Sequence, residues 1–186
     1  ISYPDPLGYG QTDYMPIAYT DIDPATGFRN TAMRANAGLG LGGVKVLEVR
    51  DGTSNTLAVG ENAGRYHPSV VAKYVDPITR SPRMAARWAE PDTGNGVSGP
   101  ATGDPGSPLY QAKAGPYVSQ NMAPEGGPPT CPWSVNNCGV NDELSSFHTG
   151  GVSVVYLDGH VAFLRDTITG LVLRAICTRN GGETNV

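Results

Sequence analysis

The clearest hydrophobic pattern lies in the last third of the chain. Val152–Leu157 is an apolar, β-branched run, Asp158-Gly159 favours a tight turn, and His160–Leu164 is a second apolar run. Two such runs joined by a two-residue turn are typical of a β-hairpin. We therefore predict an antiparallel hairpin over residues 152–164.

A short helix is predicted directly after this hairpin. Apolar side chains recur near one helical face at Ile168, Val172, Ala175 and Ile176. Side chains that can cap a helix N-terminus precede them at Asp166, Thr167 and Thr169. Gly170 lowers the helix propensity and Gly181-Gly182 is typical of a helix end, so the helix should be short and finish near Arg179.

The strand signals are weaker in the first half of the chain. Val44–Val49 alternates and is rich in β-branched residues, which predicts a strand that enters a turn at Asp51-Gly52. Thr56–Val59 and Arg83–Ala89 are two further apolar runs that favour strands. Together these segments predict the first part of an antiparallel sheet.

Two segments are expected to be rich in loops. Residues 1–43 carry scattered Tyr, Pro and Gly without a helical period, which indicates an irregular surface layer with one short strand near Asp13–Tyr19. Between Glu90 and Pro108 the only large apolar residue is Val97, which predicts a long exposed loop. The 25 glycines and 16 prolines agree with a fold in which much of the chain is turns.

The length predicts one domain. The chain has 186 residues, and domains typically contain about 100–150 residues. We expect a single globular head domain over 1–186, of class α+β and mainly β, with an antiparallel sheet. Its parts are a loop-rich beginning, a first sheet segment, long loops, and the hairpin with its helix, at residues 1–43, 44–89, 90–141 and 142–186.

The charge pattern excludes one large class of partners. The chain has 13 basic and 17 acidic residues and a net charge of −4, without the clustered Lys and Arg that bind a phosphate backbone. We therefore expect no nucleic-acid partner.

No apolar run approaches the roughly 20 residues that span a bilayer. Because the chain begins at Ile1 rather than Met, we expect any membrane anchor or export signal to precede it.

Two of the three cysteines enclose a short loop. Cys131 and Cys138 flank a stretch with proline and two asparagines, which favours a turn and would allow a disulfide. Such a bond indicates an oxidising compartment outside the cytoplasm. Two buried free thiols and a metal pair are the alternatives. Cys177 is left over, and a cysteine upstream of Ile1 is one candidate partner.

The histidines do not form an obvious catalytic set. His148 precedes the first hairpin strand and Asp158 follows it, so the two side chains should lie at opposite ends of that strand. Acid–base catalysis needs groups within hydrogen-bond reach of one reacting atom. We expect His148 to fix the loop before the hairpin, and Asp158 with Gly159 to form the turn. Common catalytic signatures such as G-x-S-x-G and HExxH are missing, which favours a protein without enzymatic activity.

Short polar side chains are concentrated in one segment, Asp51-Gly52-Thr53-Ser54-Asn55-Thr56. Such side chains bond to their own backbone and would lock a tight corner. The same oxygens suit calcium, as do those of Asp21-Ile22-Asp23 and Asn141-Asp142-Glu143, but none has the spacing of a known calcium loop. We therefore expect turns, and no cofactor. Trp88, Trp133 and the tyrosines suit either core packing, which is favoured, or a carbohydrate-binding face.

Two stretches resemble a known family. Val49–Glu61 is similar to the internal DGTSNT…GE segment of bacterial prepilin-like proteins of unknown function, also labelled a solute-binding family. Ser146–Gly151, Asp158-Gly159 and Phe163-Leu164 resemble the family's terminal H-x9-DG motif, which is associated with prepilin processing. Thr178–Glu183 resembles its closing TRxGGE.

This resemblance implies a protein outside the cytoplasm, in the periplasm, on the cell surface or secreted. Family members are similar to type IV pilins and type II pseudopilins, in which a leader and cleavage site precede a long apolar helix that carries a globular head. That stalk helix is absent from these residues. The resemblance implies no established enzymatic activity and implies self-association or other pilin-like subunits as partners. Two hypotheses remain: a structural subunit of a filament or pseudopilus, and a module that binds a solute or glycan.

Overall fold

A computed structural model describes Asp5 and residues 8–40, 42–71, 86–87, 95–98, 118–119, 132, 134, 140 and 143–182. Its strands are β1 Tyr14–Thr20, β2 Ala35–Asn36, β3 Leu57–Glu61, β4 Asn95–Val97, β5 Val118–Ser119, β6 Leu144–Ser145, β7 Gly151–Tyr156 and β8 Val161–Arg165. The helices are α1 Pro68–Val71 and α2 Gly170–Cys177, with 3-10 turns at Thr31–Met33 and Val46–Glu48.

The described strands form one main sheet with mostly antiparallel pairing. Its order is β2-β1-β3-β7-β8, and β4 pairs parallel to β1. β5 and β6 form a separate parallel pair. The α+β, mainly β class with an antiparallel sheet is therefore confirmed.

The C-terminal hairpin is confirmed. β7 and β8 pair without a register shift, with Val152 opposite Leu164 and Val154 opposite Ala162. Gly159 lies in the turn with φ of 92°, a conformation that glycine adopts at low energy. The alternation of the sequence places Val152, Val154 and Leu164 in the core.

The C-terminal helix is confirmed, with one change in its buried face. Thr169 caps α2, because its Oγ1 accepts a hydrogen bond from the Val172 N–H at 3.4 Å. Val172 itself is 37% exposed, whereas Leu173 and Cys177 are fully buried. Ala175 and Ile176 are buried as predicted, so the buried face differs from the predicted one in that it excludes Val172 and includes Leu173 and Cys177.

The core lies between the main sheet and α2. Its fully buried apolar members include Met15 and Ile17 of β1, Leu57 of β3, Leu144 of β6 and Leu173 of α2. Burying side chains of this size stabilises a fold by about 1.5–3 kcal/mol each. These contacts hold β3 and β7 at the centre of the molecule.

The strand predicted at Val44–Val49 is wrong. Residues 46–48 form a 3-10 turn, with Val46 73% and Leu47 92% exposed. The β-branched pattern favours a strand only where a neighbouring strand can pair with it, and none of the described strands lies beside this segment. Its end is bound elsewhere, since the Arg50 N–H donates to the Arg179 carbonyl at 2.8 Å.

The two loop predictions are corrected in part. The strand near Asp13–Tyr19 is confirmed as β1, but the described part of residues 1–43 is not only a surface layer, because Met15 and Ile17 of this strand are fully buried. Within the predicted loop at 90–108, residues 95–97 form β4 and Val97 is fully buried. In both cases a partner strand distant in sequence orders a segment with weak local signals.

Three predictions fall largely outside the described residues. Neither Cys131 nor Cys138 is described, so the disulfide stays a prediction. Of the run Arg83–Ala89 only residues 86 and 87 are described, and Arg87 forms an isolated bridge with Gln11. Both tryptophans also lie outside the described residues.

Candidate functional site

The polar corner at residues 51–56 contacts the C-terminal end of the chain. The Asp51 carboxylate accepts hydrogen bonds from the Gly181 N–H at 2.7 Å and from the Gly182 N–H at 3.0 Å. Asp51 is only 6% exposed. A buried carboxylate bonded to two backbone N–H groups forms charge-assisted hydrogen bonds, which are stronger than neutral ones. The corner therefore fixes a segment about 130 residues away in sequence.

The corner is also bonded within itself. Gly52 has φ of 93°, which allows the sharp bend after Asp51. The Asn55 side-chain amide donates to the Asp51 carbonyl at 3.0 Å, and the Thr56 hydroxyl donates to the Gly52 carbonyl at 3.0 Å. Thr56 is fully buried and also reaches the Thr178 carbonyl at 3.4 Å. Ser54, in contrast, is exposed.

The hairpin turn packs against the same corner. The Leu157 N–H donates to the Thr56 carbonyl at 2.9 Å, and the Asp158 N–H donates to the Thr53 carbonyl at 3.1 Å. Three segments that are far apart in sequence thus meet. We call this meeting point the clasp, and define it as residues 51–56, the turn at Asp158-Gly159, and residues 178–182.

Asp158 also fixes the start of β8. Its Oδ1 accepts a hydrogen bond from the His160 N–H at 3.0 Å and lies 2.7 Å from His160 Nδ1. These bonds to the charged form hold the pKa of Asp158 below its usual value. The His160 ring stacks on Tyr156 with centroids 4.2 Å apart.

The other end of the β3–β7 pair carries a buried carboxylate. Glu61 Oε1 lies 3.1 Å from His148 Nε2, and Glu61 Oε2 accepts from the Ser153 N–H at 3.0 Å. The Glu61 side chain is 8% exposed and that of His148 is 61% exposed. Ser146 orients this loop, because its hydroxyl donates to the Gly151 carbonyl at 2.6 Å and accepts from the His148 N–H at 3.0 Å.

A second carboxylate lies near Glu61. The pKa of Asp13 is raised, mainly by neighbouring groups that partly remove its hydration and then by the negative charge of Glu61. Such a pair of acidic groups is one feature of catalytic and metal sites. Among the described residues, however, no group of three or more His, Cys, Asp or Glu side chains is arranged to hold a metal ion.

The two carboxylates of the segment Asp21-Ile22-Asp23, which was considered for calcium, serve local roles. Asp21 forms a two-point ion pair with Arg34, with oxygen–nitrogen distances of 2.7 and 3.0 Å. The Asp23 carboxylate accepts from the Ala25 N–H at 2.8 Å and thereby caps a turn. Of the third segment, only Glu143 is described, and it is buried.

Two buried charged residues were not among the site residues predicted from the sequence, although Glu61 belongs to the segment that carries the family resemblance. Glu61 ends an otherwise apolar strand, and Arg174 lies on the buried side of α2, where its Nη1 donates to the Ile22 carbonyl and to the Met33 carbonyl at 3.1 Å. A charge inside an apolar run is the signal that could have identified both, because a buried charge requires polar partners.

Cys177 packs in the core at the end of α2. It is fully buried, and burial raises the pKa of its thiol, since the thiolate would lose its hydration. The thiol is therefore held in its neutral, unreactive form.

No helix among the described residues has both the length and the apolar character needed to cross a membrane.

The sequence features that carry the resemblance lie at the two ends of the β3–β7 pair. The DGTSNT corner, the DG turn and the TRNGG segment meet at one end of the β3–β7 pair, while Glu61 of the GE pair meets His148 at the other end. His148 and Asp158 belong to different ends, and the structure does not bring them together. Chemically, both ends fix backbone segments.

The comparison with protein families matches nearly the whole chain. A family model described as a protein of unknown function (DUF1559), labelled SBP_bac_10, matches residues 3–170. No curated protein and no solved structure gives a significant match. The matched residues include the DGTSNT corner, His148 and the hairpin, so the chain belongs to the DUF1559 family of proteins of unknown function.

Proposed function

We propose that this chain is a non-enzymatic structural module that works outside the cytoplasm as the head of a pilin-like subunit. The observation that carries the proposal is the use of the motif residues. The side chains of Asp51, Thr56 and Asp158 form hydrogen bonds with backbone groups at one end of the β3–β7 pair, and the Glu61 side chain does so at the other end. Side chains committed in this way stabilise a fold rather than bind a substrate.

The proposal assigns a physical task to the module. A subunit head must keep its shape while neighbouring subunits contact it. Buried, charge-assisted hydrogen bonds at both ends of the β3–β7 pair serve this task, because each such bond contributes about 1.5–3 kcal/mol. The family resemblance supports an apolar helix ahead of these residues, which would anchor the subunit in the membrane and pack in a filament core.

The test uses the full-length gene product in its native host. We expect the mature protein to carry an N-terminal apolar helix, to fractionate with membranes or surface filaments, and to crosslink to copies of itself or to other pilin-like proteins. N-terminal sequencing, fractionation and immunogold imaging measure these properties. A freely soluble monomer released by an ordinary secretory signal would contradict the proposal.

The family label favours one second candidate, a solute-binding module. A binding module needs a concave site with a few converging polar groups. Among the described residues, the best candidate for such groups is the Glu61–His148 pair, in which Glu61 is buried and His148 is exposed. Screening the purified chain by thermal shift against sugars, amino acids and amines separates the two: a saturable shift that Glu61→Gln abolishes would favour this alternative.

A further inference from the structure

β8 leaves one edge of the main sheet without a partner among the described strands. It is the last strand of the order β2-β1-β3-β7-β8. The Tyr156 N–H donates to the His160 carbonyl at 3.0 Å, and the Asp166 N–H donates to the Gly150 carbonyl at 2.9 Å. Hydrogen bonding alternates along an antiparallel strand. The backbone N–H and C=O groups of the even-numbered residues of β8 therefore point towards β7. The backbone groups of Val161, Phe163 and Arg165 therefore point away from the sheet.

Most side chains at this edge do not protect it, since only Arg165, at its C-terminal end, is charged. Val161 is 70% and Phe163 is 49% exposed, and both extend from the sheet face opposite to the core. Natural edge strands are usually blunted by proline, lysine or a bulge. β8 has the sequence VAFLR, and its pairing with β7 shows no register shift. An open, regular and apolar edge of this kind is typical of a strand-pairing surface.

We propose that β8 pairs antiparallel with β8 of a second copy of this chain, around a two-fold axis at Phe163. The outward residues decide the register. Only a pairing centred on Phe163 places all three of them opposite outward residues of the other copy: Phe163 faces Phe163, and Val161 faces Arg165. The two sheets then continue into each other as an isologous interface.

The charges agree with this register. It places His160 opposite Asp166 of the second copy, so the His160 ring, whose Nδ1 contacts Asp158 of its own chain, lies across from a second carboxylate at both ends of the paired strands. The two Arg165 residues lie at opposite ends and each faces an apolar Val161. No like charges face each other directly. The central Phe163 pair adds an aromatic contact, which is favourable across paired strands.

The expected association is weak in isolation. Stable complexes bury about 1,200–2,000 Å², and a pair of five-residue strands buries less. The dimer should therefore form at high local concentration, as on a crowded surface or at an assembly. This inference concerns the head alone and stands independently of the proposed pilin-like function.

The first test compares two lysine substitutions in the purified chain. Phe163→Lys places two like charges opposite each other in the dimer, which destabilises strand pairing. Leu47→Lys is the matched control, because Leu47 is 92% exposed and lies outside the sheet. Sedimentation equilibrium should show a concentration-dependent dimer that Phe163→Lys weakens at least about tenfold and that Leu47→Lys leaves unchanged. A parent chain that stays monomeric at millimolar concentration would overturn the inference, as would equal effects of both variants.

The second test fixes the register with cysteine. Hydrogen-bonded antiparallel partners have Cα atoms about 5.5 Å apart, within disulfide range. Phe163→Cys should therefore form a covalent dimer under mild oxidation, whereas Val161→Cys should not, since the two Val161 positions lie four residues apart along the paired strands. Non-reducing electrophoresis against the parent chain measures both. Crosslinking at position 161 but not at 163, or equally at both, would contradict the proposed pairing.

Discussion

At the scale of single residues, the polar side chains of the site divide by burial rather than by type. Asp51 and Glu61 are buried and accept backbone N–H groups, whereas the Asp158 and His148 side chains are 35% and 61% exposed. Buried carboxylates lose hydration and depend on their partners, while exposed ones are screened by water. The sequence could indicate that these residues are polar and belong to turns or strand ends, but not which of them are buried.

The Glu61–His148 pair gives a prediction that follows this division. His148→Ala should destabilise the fold by less than about 1 kcal/mol, since an exposed ion-pair partner contributes little. Glu61→Ala should destabilise it by about 1–3 kcal/mol, because the Ser153 N–H then loses its acceptor. Urea denaturation of both variants measures the difference. If His148→Ala lowers the free energy of unfolding as much as Glu61→Ala does, the contact with His148, and not the Ser153 N–H, accounts for the contribution of Glu61.

Asp158 gives a prediction on pH dependence. Its pKa in the folded protein lies below the usual 3.8, mainly because of the His160 N–H and then the His160 side chain. A lowered pKa in the folded state means that its stabilising contribution is present above the usual pKa and is lost as the pH falls through the folded value.

His160→Ala separates the two causes of this shift. It removes the ring but keeps the backbone N–H, so the pKa of Asp158 should rise only part of the way towards its usual value. NMR titration of the carboxyl carbon gives this value directly. A complete return to the usual pKa would show that the backbone hydrogen bond contributes nothing.

At the scale of elements, local signals predicted the elements that depend on neighbouring sequence. The hairpin over 152–164 and the helix that ends at Cys177 follow from alternation, a DG turn and an N-cap. Val44–Val49 has an equally regular pattern but forms a 3-10 turn, and residues 95–97 form a strand within a glycine-rich stretch. Pairing with a distant strand decides both cases, and a local pattern does not contain that information.

Gly60 shows how closely these elements pack. A Cβ added at this position of β3 would overlap the Leu144 side chain of β6. Gly60→Ala should therefore destabilise the fold by about 1–3 kcal/mol, as overpacked cores do. Gly40→Ala is the control, because its added Cβ would make only ordinary contacts, the nearest at 3.4 Å. Thermal unfolding measures both, and equal stability of the two variants would argue against close packing at Gly60.

At the scale of the whole molecule, the motif residues join parts of the chain that the sequence separates. The sequence predicted a tight corner at 51–56 and a turn at Asp158-Gly159, each by itself. It could not predict that the corner contacts both the turn and residues 178–182, because these contacts depend on the path of the complete sheet. The clasp thus links the first third of the chain to its C-terminal segment, and this link is the central claim about the site.

A double-mutant cycle on this link tests the claim most directly. The variants are Asp51→Ala, a chain that ends after Asn180, and their combination, with Asp23→Ala in the same truncated chain as the control because Asp23 caps a separate turn. If Asp51 acts through the Gly181 and Gly182 N–H groups, either change removes the same interaction. Chemical denaturation should then give a coupling energy of about 1–3 kcal/mol for Asp51 and near zero for Asp23. Additive losses for Asp51 and the truncation would contradict the clasp.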